Sequence, residues 1–183
     1  VARVAGRDPE RAAELAAAAL RQGAKAIEEV DDSSGELGAL LERLGDQLAE
    51  AHRAAGSAGR DLAEALFPLL LDDPCGALSV GRFADLLGEA GLDRLDELIA
   101  AEKGALPEDS ARKQGARRRA FTVTVEDGRR LRLQGLREQV ARERKDVDAL
   151  VAALAEGLPG AGGYLRVART LEDAGRLEEA VAW

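Results

Sequence analysis

The last twenty residues, Tyr164–Trp183, constrain the fold more than any other stretch of the chain. They read YLRVARTLEDAGRLEEAVAW. Tyr164, Val167, Ala168 and Leu171 recur at helical spacing, Gly175 marks a tight turn, and Ala180 lies at the start of a second helix. Two short helices joined this way bury their apolar faces by packing as a hairpin and stacking on neighbouring hairpins. Such a chain is expected to present a surface to a partner rather than to house a reaction.

The bulk numbers agree with a helical chain. Its 183 residues suit one domain spanning 1–183, or about four to five helical hairpins. Aromatic residues are 3% of the total, so the core must be built from Leu, Ala and Val. Leu and Ala are strong helix formers, and Ala lets helices approach closely. No apolar run of about 18 residues exists, and no basic stretch followed by an apolar block opens the chain. Cys75 is the single cysteine, which excludes an internal disulfide and fits a reducing, cytoplasmic setting. Methionine is absent, including at position 1, and the last helix stops at Trp183 without a capping glycine. Both features predict a piece of a longer protein.

Helix signals follow one another along the chain. Asp8-Pro9 starts a helix whose apolar stripe is Ala12, Leu15, Ala16, Ala19 and Leu20, ending at Gly23. Asp31 to Ser34 supplies caps for a second, carrying Leu37, Leu40, Leu41, Leu44, Leu48 and Ala51 to Gly56. A third holds Leu62, Ala65, Leu66, Leu69 and Leu70, and Pro68 predicts its kink or early end. Ser79 is placed to cap a fourth, and Gly91 to turn the chain into a fifth. Residues 104–128 predict an extended or disordered insertion. Within it Phe121–Val125 alternates like a strand and Asp127-Gly128 reads as a turn. A sixth helix is expected over about 130–145, a seventh after Asp146, and a turn over Gly157–Gly163 before the final hairpin.

The final hairpin resembles the tetratricopeptide repeat, in which large residues fill the groove between hairpins and small ones sit at close crossings. Tyr164 falls at the place of the family's Trp, Val167 at its Leu, Ala168 at its Gly and Leu171 at its Tyr. Gly175 falls at the turn and Ala180 at the small crossing residue. Val80, Phe83, Ala84, Leu87 and Gly91 repeat the spacing upstream, with Asp96 in place of the small residue. The resemblance implies an irregular α-solenoid of antiparallel hairpins. The chain is also similar to the helical region beside SWIM-type zinc fingers of some bacterial proteins, through Ala26–Gly38, Asp146–Leu158 and Tyr164–Trp183. That resemblance implies a role beside a binding finger and no catalysis. The finger's cysteine and histidine ligands are absent here, since the chain has one Cys and one His.

Charge is segregated. The net charge is −8, yet Ala111 to Lys145 holds twelve Lys or Arg against four Asp or Glu. Arg112, Lys113, Arg117, Arg118 and Arg119, with Arg129, Arg130 and Arg132, form the densest cluster. It reads either as a phosphate-binding patch for nucleic acid or as a basic segment that pairs with the chain's own acidic helices. Phe121 is the one aromatic beside it, which gives little for bases to stack on.

Chemistry-bearing motifs are sparse. A thiol nucleophile at Cys75 needs a base, and His52 is the single imidazole, with nothing in the sequence to join them. Too few Cys and His exist for a zinc site. Glu28, Glu29, Asp31 and Asp32 read as helix-end and capping carboxylates. Gly157–Gly163 lacks the phosphate-loop pattern. The expectation is a non-catalytic module for a protein or peptide partner, with no cofactor and no metal. Nucleic-acid binding through the basic segment is the rival.

Overall fold

The computed structural model describes residues 2–30, 32–74, 76–107, 125–156 and 161–183. Among these residues every regular element is helical. The chain groups into two compact units, Val1–Asp96 and Glu97–Trp183, and the division falls inside one helix.

The first unit contains α1 (Ala2–Ala5), α2 (Pro9–Glu29), α3 (Glu36–Ala55), α4 (Gly59–Leu71), a 3-10 helix (Val80–Phe83) and the start of α5 (Ala84–Ala105). Asp8 caps α2: its Oδ1 accepts from the Arg11 N–H at 2.9 Å, and Pro9 opens the helix. The expected stop at Gly23 is corrected, because α2 continues to Glu29. Gly23 instead marks a close crossing, where an added Cβ would collide with the Leu41 side chain of α3. The stripe of α2 is also narrower than its spacing suggests. Ala12, Ala16 and Leu20 are buried, whereas Leu15 is exposed.

Asp32 starts α3, its two carboxylate oxygens accepting from the N–H groups of Leu37 and Gly38 at 3.0 and 2.9 Å. These donors have no partner within the helix, so the carboxylate satisfies them. The helix ends in a Schellman turn at Gly56, whose φ of 69° suits a residue without Cβ. Ser57 N–H reaches His52 C=O and Gly56 N–H reaches Arg53 C=O. Pro68 does not end α4, which runs on to Leu71 with Asp72 N–H returning to the Pro68 carbonyl.

Ser79 precedes the 3-10 helix but does not cap it with its hydroxyl; the Arg82 N–H meets the Ser79 carbonyl at 3.2 Å. Val80 and Phe83 are fully buried. Arg82 turns the other way and donates to the carbonyls of Glu42 and Ala77 at 3.0 and 2.8 Å. Gly45 makes room for that guanidinium, since a Cβ there would occupy its place. The expected turn at Gly91 is likewise corrected. The backbone breaks at Gly88, with φ 53° and ψ −170°, a conformation that side chains resist. Gly91 lies within the helix, where a Cβ would stand 2.9 Å from the Gly59 carbonyl oxygen. The upstream echo of the final hairpin therefore shares its spacing but not its local structure.

The second unit takes the rest of α5, then α6 (Val125–Glu143), α7 (Val147–Glu156), α8 (Ala161–Asp173) and α9 (Leu177–Ala182). The insertion expected over 104–128 is trimmed at both ends, because α5 runs to Ala105 and α6 begins at Val125. Asp127 and Gly128 lie in the first turn of α6 instead of a hairpin. Glu126 and Asp127 favour that helix start by complementing its positive end. Phe121 to Thr124, and Gly157 to Gly160, fall outside the described residues, while Ala161 to Gly163 are helical.

Consecutive helices pack together: α6 on α7, α7 on α8, α8 on α9. Two of the joints use the same turn. At the first, Lys145 takes a left-handed conformation (φ 56°), and Asp146 N–H returns to Ala141 C=O at 3.0 Å. At the second, Gly175 does so (φ 75°), and Arg176 N–H returns to Leu171 C=O at 2.8 Å. Asp146 then caps α7 through the Ala149 N–H at 2.9 Å. Ala141, Leu150, Leu154, Val167 and Leu171 form a buried cluster, with Val147, Val151 and Ala180 packed against it.

Candidate functional site

The residues singled out in the last hairpin divide into a buried set and a bare one. Val167 and Leu171 are buried in the cluster, Ala180 packs against it, and Gly175 makes the turn. Ala168 is half-buried. Tyr164 does not fill a groove as its place in the repeat implies. The residue is 46% exposed and its ring rests against Trp183, with centroids 6.3 Å apart and planes tilted by 49°. This pair joins the start of α8 to the end of α9, so the hairpin is antiparallel.

The last hairpin also bears exposed apolar residues which the sequence reading missed. Leu177 is 61% exposed and Val181 88%, and Leu165 and Trp183 are exposed as well. A signal for them existed in the register. Leu177 and Val181 are the first and fifth residues of α9, as Val147 and Val151 are of α7, yet the α7 pair is half-buried. Leaving large apolar groups bare forgoes about 1.5–3 kcal/mol each relative to burial. Leu177 and Val181 stand one turn apart on α9, and adjacent bare apolar residues mark a contact surface more than scattered ones would.

Polar contacts hold the hairpin in place. Glu138 of α6 is a buried carboxylate, and it accepts from Arg166 of α8 and, at 3.4 Å, from Gln134. Gln134 also donates to the Ala153 carbonyl at 3.2 Å. Arg176 bridges Asp148 and Glu179. Hydrogen bonding to Arg176 holds the Glu179 carboxyl below its ordinary range. Burial pushes Glu156 up, but hydrogen bonds and charge from Lys103 and Arg137 outweigh this and hold it low. Pairs this exposed contribute little stability and mainly orient the helices.

The basic cluster is only partly described. Arg112, Lys113, Arg117, Arg118 and Arg119 lie outside the described residues. Arg129 donates to Glu102 at 2.7 Å, and Arg130 to the Pro107 carbonyl. Arg132 stands on the same helix and is also engaged. Of these three, Arg129 is paired with a carboxylate of the chain itself. Cys75 is outside the described residues, and among the described ones no group of three His, Cys, Asp or Glu is placed to hold a metal. No described helix is long and apolar enough to cross a membrane.

His52, on α3, has a buried Nδ1 without a hydrogen-bond partner. Burial holds its imidazole below the ordinary value of about 6.5. The folded state thus prefers the neutral ring, while the unfolded chain takes up a proton at the ordinary value. Stability is full above that value and falls as pH drops through it. Because His52 is the single histidine, urea midpoints should decline between about pH 7 and pH 5, and His52→Gln should flatten that stretch. An unchanged slope in the variant would assign the effect elsewhere.

These features define an all-helical protein in which α6 to α9 pack in chain order and exposed apolar residues lie on the last hairpin. The chain belongs to DUF6880, a family of unknown function, whose family model matches residues 1–183. No curated protein and no solved structure matches it.

Proposed function

We propose that the protein is a non-catalytic interaction or scaffolding module, an irregular array of tetratricopeptide-like hairpins that docks a protein or peptide in the cytoplasm. The observation that carries this reading is the apolar surface of Leu177, Val181 and Trp183 on the last hairpin. The repeated turn at Lys145 and Gly175, and the packing of α6 on α7, α7 on α8 and α8 on α9, support the array. A helical region beside a SWIM-type zinc finger would serve the same end.

Selection of displayed helical peptides on the chain tests the reading. Binders should emerge, and the Leu177→Asp/Val181→Asp variant should weaken them at least about tenfold. Failure to select any binder, or binders indifferent to both substitutions, would overturn it. An anisotropy titration with duplex and single-stranded DNA addresses nucleic acid. Micromolar binding that falls steeply with salt, and is lost on replacing Arg117, Arg118 and Arg119 by Ala, would put a nucleic-acid module in its place.

A further inference from the structure

The buried carboxylate of Glu138 serves two cations at once. Arg166 of α8 donates to its Oε2, and Arg142, one turn along α6, stands 3.9 Å from the same oxygen. At that length Arg142 is paired by charge without a hydrogen bond. The other oxygen accepts from Gln134. Two guanidiniums thus converge on one carboxylate oxygen, while 54% of the Arg142 side chain and 55% of the Arg166 side chain stay open to solvent. Arg169, the neighbour of Arg166 three residues along α8, is exposed and has no partner among the described residues.

Donors outnumber acceptors here. A guanidinium carries five N–H donors. Among the described residues Arg166 uses one, on Glu138, while the guanidiniums of Arg142 and Arg169 make no hydrogen bond. Charge is unbalanced in the same sense, because three cations stand beside one carboxylate and leave a surplus of two. Glu143 and Asp173, exposed on the same two helices, pair with none of the three among the described residues. The surroundings do not repel an anion as the rest of the chain does. From Glu97 onward the sequence holds sixteen Lys or Arg against fifteen Asp or Glu, whereas residues 1–96 hold ten against nineteen.

We propose that Arg142, Arg166 and Arg169 form a binding site for a phosphate dianion, free or as a monoester, with Glu138 as the buried group that orients them. The site is separate from the last hairpin's apolar residues and does not rest on the interaction reading. A phosphate monoester carries about 1.5–2 negative charges near pH 7, which matches the surplus. Planar guanidinium forks pair with its oxygens through charge-assisted hydrogen bonds. A nucleic-acid diester brings one charge per phosphate and calls for an extended basic surface, whereas these three arginines form a compact group on two helices.

Phenyl phosphate and inorganic phosphate are titrated into the full chain at constant ionic strength, with dimethyl phosphate, a diester, as the control. Arginine Nε–H signals in nitrogen-15 NMR spectra report the contact. Both dianions should shift the signals of Arg142, Arg166 and Arg169 and saturate, and the diester should not. Tighter binding of phenyl phosphate would assign the site to phosphorylated side chains, and equal binding to free phosphate. Arg142→Gln and Arg169→Gln should each weaken binding roughly threefold to tenfold. Neither substitution removes the Arg166–Glu138 pair, and circular dichroism checks that both variants keep their helices. Three results would overturn the proposal: no saturable shift at tens of millimolar phosphate, binding indifferent to both substitutions, or a diester that binds as well as the dianions.

Discussion

Phe83→Ala is expected to cost the first unit about 3–5 kcal/mol, the largest loss from any single truncation there. Phe83 is fully buried, at the end of the 3-10 helix that packs against α3. Its ring is the largest fully buried side chain of a stretch that Val80 and the Arg82 hydrogen bonds also hold. The 3-10 helix spans only Val80–Phe83, and its hydrogen bonds are geometrically weaker than those of an α-helix. The backbone breaks again at Gly88, so neighbouring turns cannot share the load. An empty ring site would leave a cavity that the surrounding chain cannot readily close. Urea denaturation followed by circular dichroism measures the loss. A change below about 1 kcal/mol would show that the 3-10 segment is not an anchor.

Leu171→Ala should cost the second unit about 2–5 kcal/mol. Leu171 is buried where α7 and α8 meet, and its carbonyl closes the turn into α9. The side chain and the backbone thus serve the same joint. Removing three carbons there loosens the floor on which Ala180 rests, and with it the seat of Leu177 and Val181. Hydrogen exchange should accelerate over Ala161–Asp173 and Leu177–Ala182. Unchanged protection in α8 would mean that the cluster does not hold the hairpin.

What the sequence shows of this fold is what local chemistry decides. The caps at Asp8, Asp32 and Asp146 are legible because a carboxylate satisfies N–H groups only a few residues away. The turn at Gly175 is legible for the same reason. Gly23 and Gly91 mislead, because a glycine that stops a helix and one that admits a neighbour look alike. The difference lies in Leu41 and the Gly59 carbonyl, which are distant in the chain. Gly88 is the converse, a break dictated by backbone angle rather than by any pattern around it. The start of α6 at Val125 was hidden because Val125 closes a β-branched alternation that by itself favours extended backbone.

The candidate site divides along the same line. Val167, Leu171 and Ala180 follow from helical spacing and are buried or packed as that spacing implies. Tyr164 has the right position and the wrong environment, since a repeat position says nothing about whether a neighbour is present to cover it. The bare pair on α9 escapes notice for that reason too. Only comparison with α7, helix against helix in the same register, separates a covered face from an open one.

Acrylamide quenching of Trp183 in the free chain, then with a selected helical peptide at saturation, tests the open surface most directly. Expected are long-wavelength emission and efficient quenching in the free chain, with both lost once the peptide docks. A tryptophan already blue-shifted and shielded in the free chain at low concentration would contradict an open docking face on the last hairpin.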